Sequence, residues 1–423
     1  MSTLPLMSER RVSFIGALLV AIGPVSMALY TPAMTELVEA FGSTEAVIKL
    51  TLTLYFGGFA CAQLIAGPLS DALGRRPVTM AFLSLYAVAS VLAMLAPSVE
   101  MLIVARFAQG VGASVGVAIS RALVRDLFTD EQSSRIMNLI GIILALGPAF
   151  APTLGGIMLL AFGWRSLFVM MALIGFASIA VIYFCLRETV ERDITRLNLP
   201  ELGRSYWMLI RNRQFMTSAC VIGGALGAIY AQATFLPFIL MDAVGLSAQE
   251  FGLSMLAQSG SFFSASLVVR AMMKRRSATT LVPVGLVFVA IGSLGTATLL
   301  VWPPSFLHVM VPVAIYSCGI AFVMPAMSTA ALAPFKREAG AAAALLGFIQ
   351  MGSGLLVGTL GALMADAVVA MSILIPMMGV GACFAYALYR RTPIVTHAVV
   401  APVSKGKAGP LPLKTCPATR PDR

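Results

Sequence analysis

Charge is scarce in this chain: Asp, Glu, Lys and Arg together make up 11% of its 423 residues. Soluble domains carry charge on about a quarter of their positions. So few charges cannot wet the surface of a chain this long, which excludes an ordinary soluble enzyme. With 59% apolar residues, the same composition excludes a disordered protein. Histidine is nearly missing. His308 and His397 are the only two, too few for a zinc or haem centre. Cysteine is also sparse, and Cys61, Cys185, Cys220, Cys318, Cys383 and Cys416 form no CxxC pair. Five of the six lie within or at the ends of apolar runs and read as free, small apolar side chains. No G-x-x-x-x-G-K-(S/T) loop occurs, so ATP is not the expected energy source. No embedded His/Asp/Glu constellation or nucleophile motif supports an intramembrane enzyme. No nucleic-acid partner is expected, because the residues behind the +11 net charge sit in short caps between apolar runs, and no metal or cofactor is expected.

Long apolar runs dominate instead, and the mean hydropathy is +0.92. A helix needs about 20 apolar residues to cross a bilayer. Twelve such stretches are read at 12–33, 46–67, 77–96, 100–122, 135–161, 165–186, 215–241, 249–270, 281–302, 307–332, 340–364 and 368–389. No ten-residue alternation recurs, which excludes a β-barrel. The start, MSTLPLMSERR, has no cleavable signal pattern, and the run after Arg11 reads as a first spanning helix. Lys and Arg collect on the cytoplasmic side of membrane proteins. With the N-terminus inside, all of the 29 except Lys49, Arg106 and Arg165 fall in cytoplasmic connections. The expected fold is therefore an all-α integral membrane protein of the cell inner membrane, with both termini cytoplasmic.

The longest internal polar stretch, 187–213, separates six spans from six. This predicts an N-terminal six-helix bundle at 1–186, a linker at 187–214, a C-terminal six-helix bundle at 215–390, and a disordered tail at 391–423. A monomer is expected.

Three stretches carry mechanism. The first is GPLSDALGRRP at 67–77, between spans 2 and 3. Gly67 suits close helix approach, and Gly74 suits a tight turn. Asp71 is read near the start of span 3, where a helix N-terminus favours an anion. Arg75 and Arg76 hold the inner face. With Asp126 and Arg125 from the end of span 4, Asp71 and Arg75 could latch neighbouring helices. The second stretch is MLIVARFAQGVGAS at 101–114, where Arg106 is the one charge deep inside a span. A charge there is costly and by default functional. The third is GIILALGPAFAPTLGG at 141–156, where Pro148 and Pro152 bend the helix while Gly147, Gly155 and Gly156 permit close packing.

The first of these matches, at every defining position, the loop pattern G-x-L-x-D-x-x-G-R-(R/K), and the chain thereby resembles the major facilitator superfamily. Arg106 with Gln109, Gly110 and Gly112 is similar to that superfamily's fourth-helix pattern, which implies a role for Arg106 in proton coupling and binding-site geometry. The third stretch resembles the fifth-helix motif of antiporter members and implies export. Finer resemblance, in YTPAM at 30–34, 50–71, RALVRDLF at 121–128 and GWRSLF at 163–168, is to the bicyclomycin/chloramphenicol-resistance exporters, which are drug:proton antiporters. One position departs from that group: Ala28 stands where its members usually carry a span-1 Asp. Glu36, Asp71 and Asp366 are the possible substitutes. Lys49 is expected to snorkel to water or to pair with Glu36 or Glu45.

A pocket for amphiphiles needs aromatic faces and a few amides. The candidates are Tyr30, Tyr55, Phe59, Gln63, Phe107 and Gln109 in the first half, and Tyr230, Gln232, Phe235, Gln258, Phe262, Tyr316 and Gln350 in the second. The implied activity is secondary active export of small amphiphilic compounds by proton antiport. The alternative is transport of a defined metabolite such as a nucleoside, sugar or amino acid.

Overall fold

A helix is the simplest way to satisfy every backbone N–H and C=O inside lipid, and the regular structure of the described residues is all helical. The computed structural model describes residues 7–128, 130–335, 338–364 and 366–392; the side chain of Pro148 and the segment 393–423, most of the expected tail, lie outside the described residues. Helix α1 is Glu9–Tyr30, continued through a 3-10 turn at Thr31–Ala33 into α2, Met34–Ala40. Then follow α3 (Glu45–Leu73), α4 (Arg75–Met94), α5 (Val99–Ala113), α6 (Val115–Leu127), α7 (Asp130–Phe162) and α8 (Arg165–Cys185). The chain continues with α9 (Leu199–Arg211), α10 (Arg213–Pro237), α11 (Ala248–Met272), α12 (Ala278–Ala297), α13 (Phe306–Leu332), α14 (Ala339–Ala362) and α15 (Ala367–Arg391). Among the described residues, eleven helical stretches are long and apolar enough to cross a membrane, and Ala149–Phe162 adds a shorter apolar one.

The starts follow capping chemistry. The side chains of Thr44, Ser98, Ser247, Ser305 and Asp366 accept from N–H groups in the first turns of α3, α5, α11, α13 and α15. Helices α1, α3, α4, α5, α7 and α8 pack among themselves, as do α10 to α15, and α3 against α14 and α7 against α11 join the two sets.

Glycine sets the closest approaches. A Cβ on Gly58 would strike the Phe107 carbonyl, and one on Gly110 the Tyr55 carbonyl, so α3 and α5 touch backbone to backbone. Gly112 and Gly116 do the same toward α4 and α1. Of the candidates in α7, Gly155 lies on the Leu29 carbonyl and Gly156 on the Ala248 carbonyl, while Gly147 faces Val25. Gly67 is a correction: a Cβ there would meet nothing within 4 Å, so it lines open space rather than a close helix contact.

Asp71 is a second correction. The α3 helix runs on to Leu73, so Asp71 sits in its last turn, and the expected loop shrinks to Gly74, with φ +102°. The N-terminus of α4 draws its anion from elsewhere. Glu188 accepts from Arg75 N at 2.8 Å and Arg76 N at 3.1 Å. The linker also differs from its reading as a merely polar stretch, since α9 is an amphipathic helix within it.

Replacing Gly110 with valine should force α3 and α5 apart and destabilise the protein by about 1–3 kcal/mol, the usual range for overpacking. A lowered thermal midpoint in detergent, with Gly381→Val as the open-space control, is the measurement.

Candidate functional site

Arg106 leaves α5 toward the interior of the first helix set and is fully buried. A guanidinium in that position needs partners, and four helices provide them. Its planar group lies 4.3 Å from the ring centroid of Tyr30 on α1 and 4.4 Å from that of Tyr55 on α3. Such desolvated cation–π contacts are worth about 1–2 kcal/mol each. Its Nη1 donates to Gln109 Oε1 at 2.6 Å, one turn along α5. Gln109 Nε2 in turn donates to Ser90 Oγ on α4 at 2.7 Å, and Met171 of α8 closes the remaining side.

The two tyrosines are themselves held. Tyr30 OH shares a 2.6 Å hydrogen bond with Thr51, and Tyr55 OH donates to the Gly23 carbonyl at 2.9 Å. Tyr86 OH meets Ser26 Oγ at 2.5 Å. No carboxylate pairs with Arg106 among the described residues, and its Nε and Nη2 have no hydrogen-bond partner. Tyr86, Ser26, Ser90, Thr51 and Met171 were missed from sequence. The Tyr86–Ser90 spacing of one helical turn was the available signal.

The remaining candidates do not converge on this cage. Phe59 packs on Gly23. Phe107 is turned out of the bundle and is 41% exposed. Gln63 lies against Gly347 of α14. Tyr230 meets Phe56 at a tilt, with ring centroids 5.4 Å apart, and covers Gly354, bridging α3, α10 and α14. Gln232 accepts from Gln258 at 2.9 Å, and its own Nε2 is buried without a partner. Phe235 packs on Gly361, and Tyr316 donates to the Gly224 carbonyl at 3.0 Å. Phe262 lines a small separate cavity of about 220 Å³ with Arg270 and Pro325. Gln350 is half-buried on α14.

A cleft of about 260 Å³ opens between the two helix sets at the Arg75 end. Gln63, Gly67, Asp71, Arg121 and Arg125 line one wall, and Ala339, Gly340, Ala341, Ala343 and Ala344 of α14 supply the other. At the opposite end the two sets touch backbone to backbone. There Gly156 meets Ala248, and Gly252 meets Pro152 and Thr153. Lys49 is fully buried at this end, 2.9 Å from Glu45 and 5.0 Å from the ring centroid of Phe238. The Glu45 pairing, not snorkelling, accounts for this lysine, since Phe238 from α10's end denies it water.

Beside the cleft, Arg75 forms the expected cluster. It pairs with Asp71, reaches Asp126 at 3.1 Å and donates to Ser70 at 2.6 Å. Arg125 stands 4.0 Å from Asp71 and 3.7 Å from Asp126. Arg76 donates to the Tyr183 carbonyl at 2.7 Å, tying α4 to α8. Asp366 is occupied as the cap of α15.

The family model described as Major Facilitator Superfamily matches residues 14–359. An uncharacterized MFS-type transporter, YdgK of Bacillus subtilis, is 30% identical over 82% of this chain and 87% of its own length. The multidrug resistance protein MdtL of a Shewanella species is 27% identical over 90% of this chain and 95% of its own. Among solved structures, that of a D-xylose-proton symporter superposes with a TM-score of 0.71 at 15% identity, covering 91% of this chain and 98% of that one.

Arg75→Ala should lower the thermal midpoint in detergent, since it strips Asp71, Asp126 and Ser70 of one shared donor. A charge-assisted hydrogen bond contributes about 1.5–3 kcal/mol, less where the carboxylate is half-exposed as Asp71 is. Arg75→Lys should recover only part of the loss, because one ammonium cannot span three acceptors as a guanidinium fork does.

Proposed function

The chain belongs to the Major Facilitator Superfamily and is a multi-pass membrane transporter, and from that premise we propose that it exports small amphiphilic compounds in exchange for protons. In this reading residues 1–186 and 215–390 are two six-helix halves, joined by 187–214, that rock about a shared substrate path. Both termini lie in the cytoplasm, which makes the Arg75 end the inner one and the cleft inward-open. The finer relationship is with the bicyclomycin/chloramphenicol-type drug exporters.

The observation that carries the proposal is the Arg106 cage. Its guanidinium sits at depth with no carboxylate in contact among the described residues. Through Tyr30, Tyr55, Gln109 and Met171 it binds α1, α3, α5 and α8 into one body that moves as a unit. The unpartnered Nε and Nη2 are free to engage an acceptor in another state of the cycle. The backbone contacts of Gly156 on Ala248 and of Gly252 on Pro152 give smooth surfaces on which α7 and α11 can separate. The cleft walls are alanine, glycine, valine and proline with one amide, Gln63, one carboxylate, Asp71, and the arginines Arg75, Arg121 and Arg125. The apolar part of that lining suits the hydrocarbon portion of an amphiphile. The relatives named multidrug resistance proteins support the same substrate class.

Arg106→Ala should reduce transport at least tenfold, the equivalent of about 1.4 kcal/mol or more, while membrane insertion persists. Counterflow in proteoliposomes, with a compound library under an imposed pH gradient, reads this out; normal transport by the variant removes Arg106 from the mechanism. In everted vesicles a protonophore should collapse the accumulated substrate gradient. Persistence of the gradient with protonophore, together with its loss on removing sodium, would identify another coupling ion.

A further inference from the structure

We propose that α9 is a lipid-binding strap, which seats on acidic phospholipid headgroups of the leaflet at the Arg75 end and ties the linker to the membrane surface. The sequence of α9 is LPELGRSYWMLIR, with Asn198 as its cap and Asn212 ending it and capping α10. One face is committed to protein. Leu209 is fully buried, and Tyr206 OH donates to the Leu64 carbonyl at 2.6 Å.

That carbonyl is not an arbitrary acceptor. Residue 68 would normally donate to it, but Pro68 has no N–H. The proline inside α3 therefore leaves an open acceptor in a membrane-spanning helix, and the linker tyrosine fills it. The bond also fixes the depth of α9. The 29 residues of α3 extend about 43 Å at 1.5 Å per residue, against a hydrocarbon core of about 30 Å. Leu64 lies two and a half turns in from Leu73, where hydrocarbon gives way to headgroups if the excess length projects at the Arg75 end.

The other face has no protein partner among the described residues. Trp207 is 57% exposed and Ile210 46% exposed, beside Arg204 and Arg211. The Arg211 guanidinium lies 4.9 Å from the Trp207 ring centroid, so the cation and the indole present themselves together. Tryptophan with arginine is the side-chain pair suited to the membrane–water interface. The arginines fit a phosphate-bearing anionic lipid, and the indole fits the boundary beneath it.

The test uses the native count of three tryptophans. With Trp164→Phe and Trp302→Phe, Trp207 becomes the sole indole, and the full chain is reconstituted in phosphatidylcholine vesicles with or without phosphatidylglycerol. Lipids brominated high on the acyl chain should quench Trp207 strongly, and more so with phosphatidylglycerol. Arg204→Gln with Arg211→Gln should remove the phosphatidylglycerol increment. The expected preference for acidic lipid is roughly fivefold per arginine, the equivalent of about 1 kcal/mol each. Full access to aqueous acrylamide without lipid quenching overturns the proposal. So does shielding from both quenchers, which would mean a protein covers this face, and so does quenching indifferent to phosphatidylglycerol. The readout needs no transport, so its failure leaves the exporter reading standing, and a failed transport assay leaves this one standing.

Discussion

A guanidinium cannot stand bare inside a membrane, and much of the first helix set is arranged around that constraint. Moving a charge to mid-bilayer costs at least a few kcal/mol. Arg106 offsets this with two aromatic faces and one amide rather than with a carboxylate. The solution needs four helices at one point, and it needs α5 close enough to α3 for the rings to enclose the guanidinium. Gly58 and Gly110 supply that closeness, since a side chain on either would hold the backbones apart. The charge, the tyrosines and the glycines are therefore one device. Removing any part leaves the others without a purpose or without a partner.

The same logic separates what is rigid from what can move. Within the first helix set the contacts are directional: hydrogen bonds from Tyr30, Tyr55, Tyr86 and Gln109, and the ion pairs of Arg75. Between the sets there are close backbone contacts and packed side chains, such as Gly156 on Ala248 and Phe56 on Tyr230, with one hydrogen bond from Thr153 to the Gly252 carbonyl at 3.0 Å. Directional bonds resist displacement, and apolar contacts slide at low cost.

Most of the architecture was legible in the sequence because the bilayer imposes a coarse rule: long apolar runs, polar caps, basic residues between them. Arg106 was legible for the same reason, as a charge deep in an apolar run stands out from its surroundings. The aromatic candidates were less so. Tyr30, Tyr55 and Gln109 gather at Arg106, whereas Phe107, adjacent to it in sequence, points the other way. Helical periodicity separates neighbours by about 100°, so sequence proximity to a functional residue says little about sharing its site. Gln63, Phe262 and the Gln232–Gln258 pair fall in three different places.

By itself the sequence determined the helical membrane class, the number of apolar runs, the Arg75–Asp71–Asp126 cluster and the oddity of Arg106, because each follows from local composition or short spacing. Tertiary structure alone decided which anion caps α4, since Glu188 comes from more than a hundred residues downstream. It alone decided that Lys49 is sealed in rather than wet, because Phe238 arrives from the other helix set. It alone showed that the carbonyl left open by Pro68 is filled by Tyr206 of the linker. In each case the deciding partner is distant along the chain, and only folding brings a donor to its acceptor.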